Sequence, residues 1–327
     1  MKSNSTMKSA FLSFLFIVSL IVPSLAADAP PRIATIIFQD DQFFRLIEFG
    51  ARDAAQKAGA LSVEGNSDNK LDKERQLVDA FITAKANAIV ISPLNRKASI
   101  ETLKHAKARG VAVVTYNTTV DGGVEDAFVE CDQSDLGRQS GRAAVNYIRE
   151  KLNGKAKVAI LAFKSQVPEQ SDERSGGFKE ALKELPGVQI VSEQDAWLAE
   201  MAVKRAGDIL TANPDLNIIW AANEGGTVGS VLAVKNSGRT GKVVVFGTDV
   251  SEQMLGFLKS SDNILQATTA QRPYDVGVKA AETALKVIRK EPVEKKIVLP
   301  GLCLSRTEPD KIAEYEKQLS EWLAKAK

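Results

Sequence analysis

A set of side chains able to grip a small polar ligand falls at or just beyond the predicted carboxyl ends of β-strands. Asp41, Phe43 and Phe44 follow one apolar run and Asn117 and Thr118 another; Arg174, Trp197, Asn223, Asp249 and Gln271 complete the set. Carboxylates, amides and a guanidinium satisfy hydroxyl groups with paired, often bidentate hydrogen bonds, and aromatic rings cover the C–H faces of a sugar ring. A polyhydroxylated ligand suits that combination. Each residue also has a plainer reading: Phe43 and Phe44 as core staples at a helix start, Trp197 as a surface aromatic, any one amide as a turn residue. Their shared position is what points to a site, because ligands of open α/β sheets bind beyond the carboxyl ends of strands.

The chain offers no catalytic apparatus beside this set. His105 is the only histidine and lies mid-helix between lysines in SIETLKHAKARG, where a solvated face is expected. Without a second histidine no Ser-His or Cys-His nucleophilic pair can be built at the strand ends. The loop after the first strand has no glycine before Gly50, and Asn223-Glu224-Gly225-Gly226 lacks the lysine and spacing of a phosphate loop. Asp40, Asp41 and Asp249 lie in separate loops, and two cysteines with one histidine make a poor metal centre. The expectation is a binding protein, not an enzyme, with no cofactor and no metal.

The elements that must position these residues are legible from hydrophobic period. Ile33 to Phe38 is a six-residue apolar run rich in β-branched side chains, as in a strand buried on both faces. From Phe43 the apolar positions recur at Ile47, Ala51, Ala54 and Ala58 until Gly59 supplies a helix stop. The alternation continues through strands at 88–92 and 111–116 and helices at 71–86 and 99–109, with 60–64 a weaker strand. A new helix begins at Asp132, where Asp132, Ser134 and Asp135 cap the exposed amides. Strands at 157–163, 188–192, 217–222, 242–247 and 263–268 then alternate with helices, followed by an extended piece at 297–299 and an amphipathic tail helix over 308–326. Strands separated by helical patterns imply βαβ units and parallel sheets, here in two similar halves that meet near Asp132.

Residues 1–26 read as a secretory signal peptide: Lys2 and Lys8, an apolar stretch from Phe11 to Val22, then Ser24-Leu25-Ala26 as cleavage site. No cysteine lies near that site, so no lipid anchor is expected. Its removal takes two lysines from 43 basic and 41 acidic residues, leaving the charges balanced. A near-zero net charge without a basic block argues against nucleic acid or an anionic membrane as partner. About 300 mature residues exceed the usual size of a single core, which predicts two domains.

The segments IIFQDDQFFRLIEFGARDAAQKAG, AIVISPLN, DQSDLGRQSG, ERSGGF, NPDLNIIWAANEGG, VVFGTD and ATTAQRPYDVG together resemble the ribose-type periplasmic substrate-binding proteins of bacterial ABC sugar importers, from Arg32 to about Arg306. The resemblance implies an α/β fold of two Rossmann-like lobes with parallel sheets, joined by a three-strand hinge and closing on a ligand. It implies an N-terminal lobe of 27–131 plus 272–302 and a C-terminal lobe of 132–271 plus 303–327. Carried over, Phe43 and Phe44 pack on one sugar face and Trp197 on the other, with Arg174, Asn223, Asp249 and Gln271 as polar contacts. The implied setting is the periplasm. The implied partners of a monomeric protein are a monosaccharide or polyol, an ABC permease in the inner membrane and, in an alternative sensory role, a chemoreceptor or sensor kinase.

Two positions depart from the ribose binders, which carry asparagine where this chain has Asp41 and an Asp-Arg pair where it has Asn117 and Thr118. The loop Lys164 to Val167 is also bulkier than usual. These changes argue against ribose itself and leave open another neutral sugar, a polyol or an amino sugar. The resemblance further sets Cys131 at the first crossover and Cys303 near the third, where neighbouring hinge strands would allow a disulfide.

Overall fold

The computed structural model describes Met1 and residues 29–325, so the signal-peptide reading lies outside the described residues. Two six-stranded sheets organise the chain. In the first lobe, β1 (Arg32–Ile37), α1 (Gln42–Lys57), β2 (Leu61–Asn66), α2 (Leu71–Thr83), β3 (Ala88–Ile91), α3 (Ile100–Ala108), β4 (Ala112–Tyr116) and β5 (Ala127–Cys131) run in sequence. The second lobe takes α4 (Gln133–Lys151), β6 (Lys155–Ala162), α5 (Pro168–Leu182), β7 (Gly187–Asp195), α6 (Ala199–Ala212), β8 (Ile218–Ala221), α7 (Glu224–Asn236), β9 (Val244–Thr248), α8 (Glu252–Lys259) and β10 (Leu265–Ala270). The chain then returns to the first lobe with α9 (Pro273–Ile288) and β11 (Lys296–Leu299), and ends in the second with β12 (Leu302–Ser305) and α10 (Pro309–Ala324).

The strand orders are β2-β1-β3-β4-β5-β11 and β7-β6-β8-β9-β10-β12, the same doubly wound order twice. Each reverses direction between its first and third strands, at β1/β3 and at β6/β8, and a crevice opens at such a switch point. The central strands β3, β4, β8 and β9 are buried throughout, and β2 and β7 are the half-exposed edges. This explains why the apolar runs at 88–92 and 217–222 are continuous while 60–64 is weak. All pairings are parallel except β10 with β12, a strand absent from the sequence reading, whose last extended piece was 297–299. Its four residues, Leu302 to Ser305, make a run too short to stand out, and all but Leu304 are only half-buried.

Three crossovers join the lobes, at Asp132, at Gln271-Arg272 and at Pro300-Gly301. The third is gripped by α4: Gln139 donates to the Gly301 carbonyl (2.9 Å) and accepts from the Cys303 amide (3.1 Å), and Asp135 accepts from the Gly301 amide (3.2 Å). The expected disulfide is not formed. Cys131 and Cys303 are free thiols, because Cys131 ends β5 opposite Leu299 in the first sheet and Cys303 pairs with Thr269 in the second. Burial pushes the two thiols up to about 12 and about 11.

Close helix crossings fix how the lobes present their loops. A Cβ at Gly137 of α4 would lie 1.8 Å from the carbonyl oxygen of Arg174, and one at Gly177 of α5 2.0 Å from that of Ser134. Only glycine allows that approach, which gives the D-x4-G-x3-G and ERSGGF segments a packing role. The tail helix α10 contacts both lobes. Ile312, Tyr315 and Leu319 bury against the second, whereas Trp322 stacks on Tyr274 of α9 (4.5 Å, 10° between planes) and Lys325 pairs with Asp53 of α1.

Candidate functional site

The first-lobe wall begins where β1 ends. Asp41 is extended and caps α1, its carboxylate accepting the Phe44 amide (2.9 Å) on one oxygen and the Gln39 side-chain amide on the other. Capping starts the helix at Gln42 and turns Phe43 and Phe44 into place. Phe44 is buried, its ring 4.2 Å from that of Phe38 and 5.1 Å from that of Phe43, nearly perpendicular to the latter. The Phe44 ring is therefore mostly core, and Phe43 and Phe38 are the half-buried faces beside the cleft. Asn117, at the end of β4, adopts a left-handed backbone (φ 57°), a conformation asparagine tolerates.

The second-lobe wall is built on one buried cation. Arg174, 3 % exposed, donates through Nε to Gln133 Oε1 (2.7 Å) and through Nη1 to the Ala222 carbonyl (2.9 Å). The same Nη1 stands 3.7 Å from Asp249 Oδ2, and the guanidinium lies 5.1 Å over the Phe163 ring. Burial lowers its pKa, opposed first by the charge of Asp249. Gln133 is oriented in turn by donating to the Cys131 carbonyl (3.0 Å), which ties this frame to the first crossover. Asp249 is held in a left-handed backbone (φ 74°) and accepts from the Gln271 side chain (2.6 Å) and the Glu224 amide (3.0 Å). Asn223 caps α7 by accepting the Gly226 amide (3.2 Å) and donates to the Trp197 carbonyl (2.8 Å). Trp197 itself is 38 % exposed and leans on Phe163 (5.4 Å between centroids).

Between the walls lies a cavity of about 600 Å³, inside the range of small-molecule sites. The structure brings together Asp41, Phe43, Phe44, Asn117, Arg174, Trp197, Asn223, Asp249 and Gln271 around it; Thr118 does not line it. Thr118 follows the left-handed turn at Asn117, so the side chains of these neighbours cannot share a direction. Sequence reasoning missed Phe38 and Phe163, each the end of an apolar run taken as buried strand, and Glu224, the first residue of α7. Gln133 had one available signal, its place immediately after the Asp132 cap. Two long hydrogen bonds cross the cleft mouth, from Gln42 to the Val250 carbonyl (3.5 Å) and from Gln170 to the Asn117 carbonyl (3.4 Å).

Residues 34–292 match the family model described as periplasmic binding protein domain. The chain belongs to this family. This periplasmic binding protein is 28 % identical over 310 residues to the ABC transporter periplasmic-binding protein YphF of Escherichia coli, covering 91 % of this chain and 94 % of that one. It is 31 % identical over 271 residues to the D-ribose/D-allose-binding protein of Pseudomonas aeruginosa, covering 79 % and 82 %. Among solved structures, a periplasmic solute-binding protein of an ABC transporter from Actinobacillus succinogenes with bound D-allose superimposes with a TM-score of 0.76 at 26 % identity, covering 87 % of this chain and all of that one. The family consists of transporter binding proteins, not enzymes, and the two-lobed α/β architecture is that of its type I members. Among the described residues, no helix is long and apolar enough to cross a membrane.

Proposed function

We propose that this protein captures a small neutral sugar or polyol in the cleft by closure of its lobes and delivers it to an ABC permease of the inner membrane. The observation that carries the reading is the pairing of aromatic and hydrogen-bonding groups on both walls of one cavity: Phe43, Asp41 and Asn117 from the first lobe, Trp197, Arg174, Asn223 and Asp249 from the second. Only with the lobes together do all of these reach one ligand, so the ligand selects the closed state. Gln271 lies at the second crossover, where a contact to Asp249 couples site and hinge.

The relatives support the ligand class, since the Pseudomonas protein is named for D-ribose and D-allose and the Actinobacillus structure holds D-allose. Asp41 and the Asn117-Thr118 pair, where ribose binders differ, favour a sugar other than ribose. The protein acts as a periplasmic monomer after loss of residues 1–26, with two lobes that rotate about the three crossovers. A thermal-shift screen of the mature protein over pentoses, hexoses, deoxy sugars and polyols tests the reading. One or more should raise Tm with ligand excess over Kd; no shift with any of them, confirmed by calorimetric titration, overturns it.

A further inference from the structure

Resting on the sugar reading, one feature of the cleft sets a finer chemistry: its charge. Among the described residues, the lining carries three carboxylates, Asp41, Glu224 and Asp249, against one guanidinium, that of Arg174. The guanidinium is committed to Gln133, the Ala222 carbonyl and Asp249. Neither Asp41 nor Glu224 forms an ion pair with any described residue.

The two unpaired acids begin helices on opposite walls, Asp41 at α1 and Glu224 at α7. The positive end of α1 offsets part of the charge of Asp41, which caps it. Glu224, the first residue of α7, stands at the positive end of its own helix, which Asn223 caps. Its side chain is exposed and lines the cleft, and its pKa is raised by burial, against a hydrogen bond from Ser251, with the charges of Asp249 and Asp41 adding to the rise. Neutral hydroxyl donors leave such charges facing one another in a medium of reduced dielectric. A cation placed among them is attracted by all three, and the ring faces of Phe43 and Trp197 are also favourable to it. The three acids do not converge as metal ligands among the described residues, so the space suits a cation carried on an organic ring.

We infer that the cleft also takes sugars or cyclic polyols in which an ammonium group replaces one hydroxyl, and binds them more tightly than their neutral parents, with Glu224 as the residue that reads the ammonium.

The test is calorimetric titration of the mature protein at pH 7 with the neutral sugar or polyol that binds best and with each of its monoamino-deoxy derivatives. At least one derivative should bind roughly tenfold or more tightly than the parent, the scale of one charge-assisted hydrogen bond. Glu224→Gln should bring that ratio toward one, with a melting curve showing the variant folded. If the parent binds and every amino derivative binds equally or more weakly, the inference fails and the sugar reading stands. A preference that survives in folded Glu224→Gln removes Glu224 from the role. If neither parents nor amino derivatives bind, the sugar reading itself fails.

Discussion

The first lobe meets the cleft with three phenylalanines packed behind the capped start of α1, whereas the second meets it with a guanidinium held in a frame of hydrogen bonds. The strand orders of the two lobes are the same, so topology does not account for the contrast. What differs is the first residues of the βα loops. In the first lobe they continue the hydrophobic core, with Phe44 buried and joined to it. In the second, Asn223 and Asp249 at the strand ends and Arg174 from α5 present polar groups whose partners include backbone carbonyls and amides of the neighbouring βα connections. One wall thus has shape tied to stability, and the other has directional contacts that require a complementary pattern of hydroxyls.

Arg174→Met attacks the second wall at its centre. It leaves Asp249 partly buried without its cation, and removing one partner of such a pair costs about 3–5 kcal/mol. Calorimetric titration should show ligand affinity reduced by at least a hundredfold, with a lowered Tm; affinity within threefold of wild type would dissolve the contrast between the walls. A pair of aromatic truncations sharpens it. Phe44→Ala should cost about 3–5 kcal/mol of folding stability, as for a buried phenylalanine. Trp197→Ala, at a site 38 % exposed, should leave Tm nearly unchanged and weaken binding by about 1–3 kcal/mol. Denaturant melts and titrations on both variants check this, and equal effects on stability would remove the distinction.

The smallest expected effect concerns charge burial. Arg174 has partners on several sides, but Glu48 of α1 is half-buried, and burial together with the nearby Glu64 raises its pKa from the usual 4.5 to about 7. The folded protein therefore holds this proton more tightly than the unfolded chain between those values, so stability falls as pH rises from about 4.5 to about 7. Glu48→Gln should add about 1 kcal/mol at pH 8, after allowance for its partial exposure, and nothing at pH 4.5. Urea melts at the two pH values measure it; a gain independent of pH would contradict the assignment.

Much of the fold was legible in the chain because buried parallel strands are continuous apolar runs and their helices repeat at 3.6 residues. The runs at Ile33, Ala88 and Asn217 and the stops at Gly59 and Gly110 needed no tertiary information. The site was legible in part for the same reason: strand ends are visible in sequence, and polar or aromatic residues there are candidates. Phe38 and Phe163 escaped because a residue closing an apolar run looks like core until the direction of its ring is known. Residue type alone likewise made Asn117 and Thr118 a pair, and the left-handed turn between strand and loop separated them.

Local sequence thus determined the element types, the doubling of the βα series and the caps at Asp41, Asp132 and Asn223, since each depends on residues within one or two turns. The tertiary structure alone decided what depends on distant partners. It placed Gln133 beside Arg174, 41 residues away. It drew β12 antiparallel onto β10 and so kept Cys303 from Cys131. It also left Asp41, Glu224 and Asp249 facing one cavity with a single cation among them, a balance of charge that no spacing along the chain records.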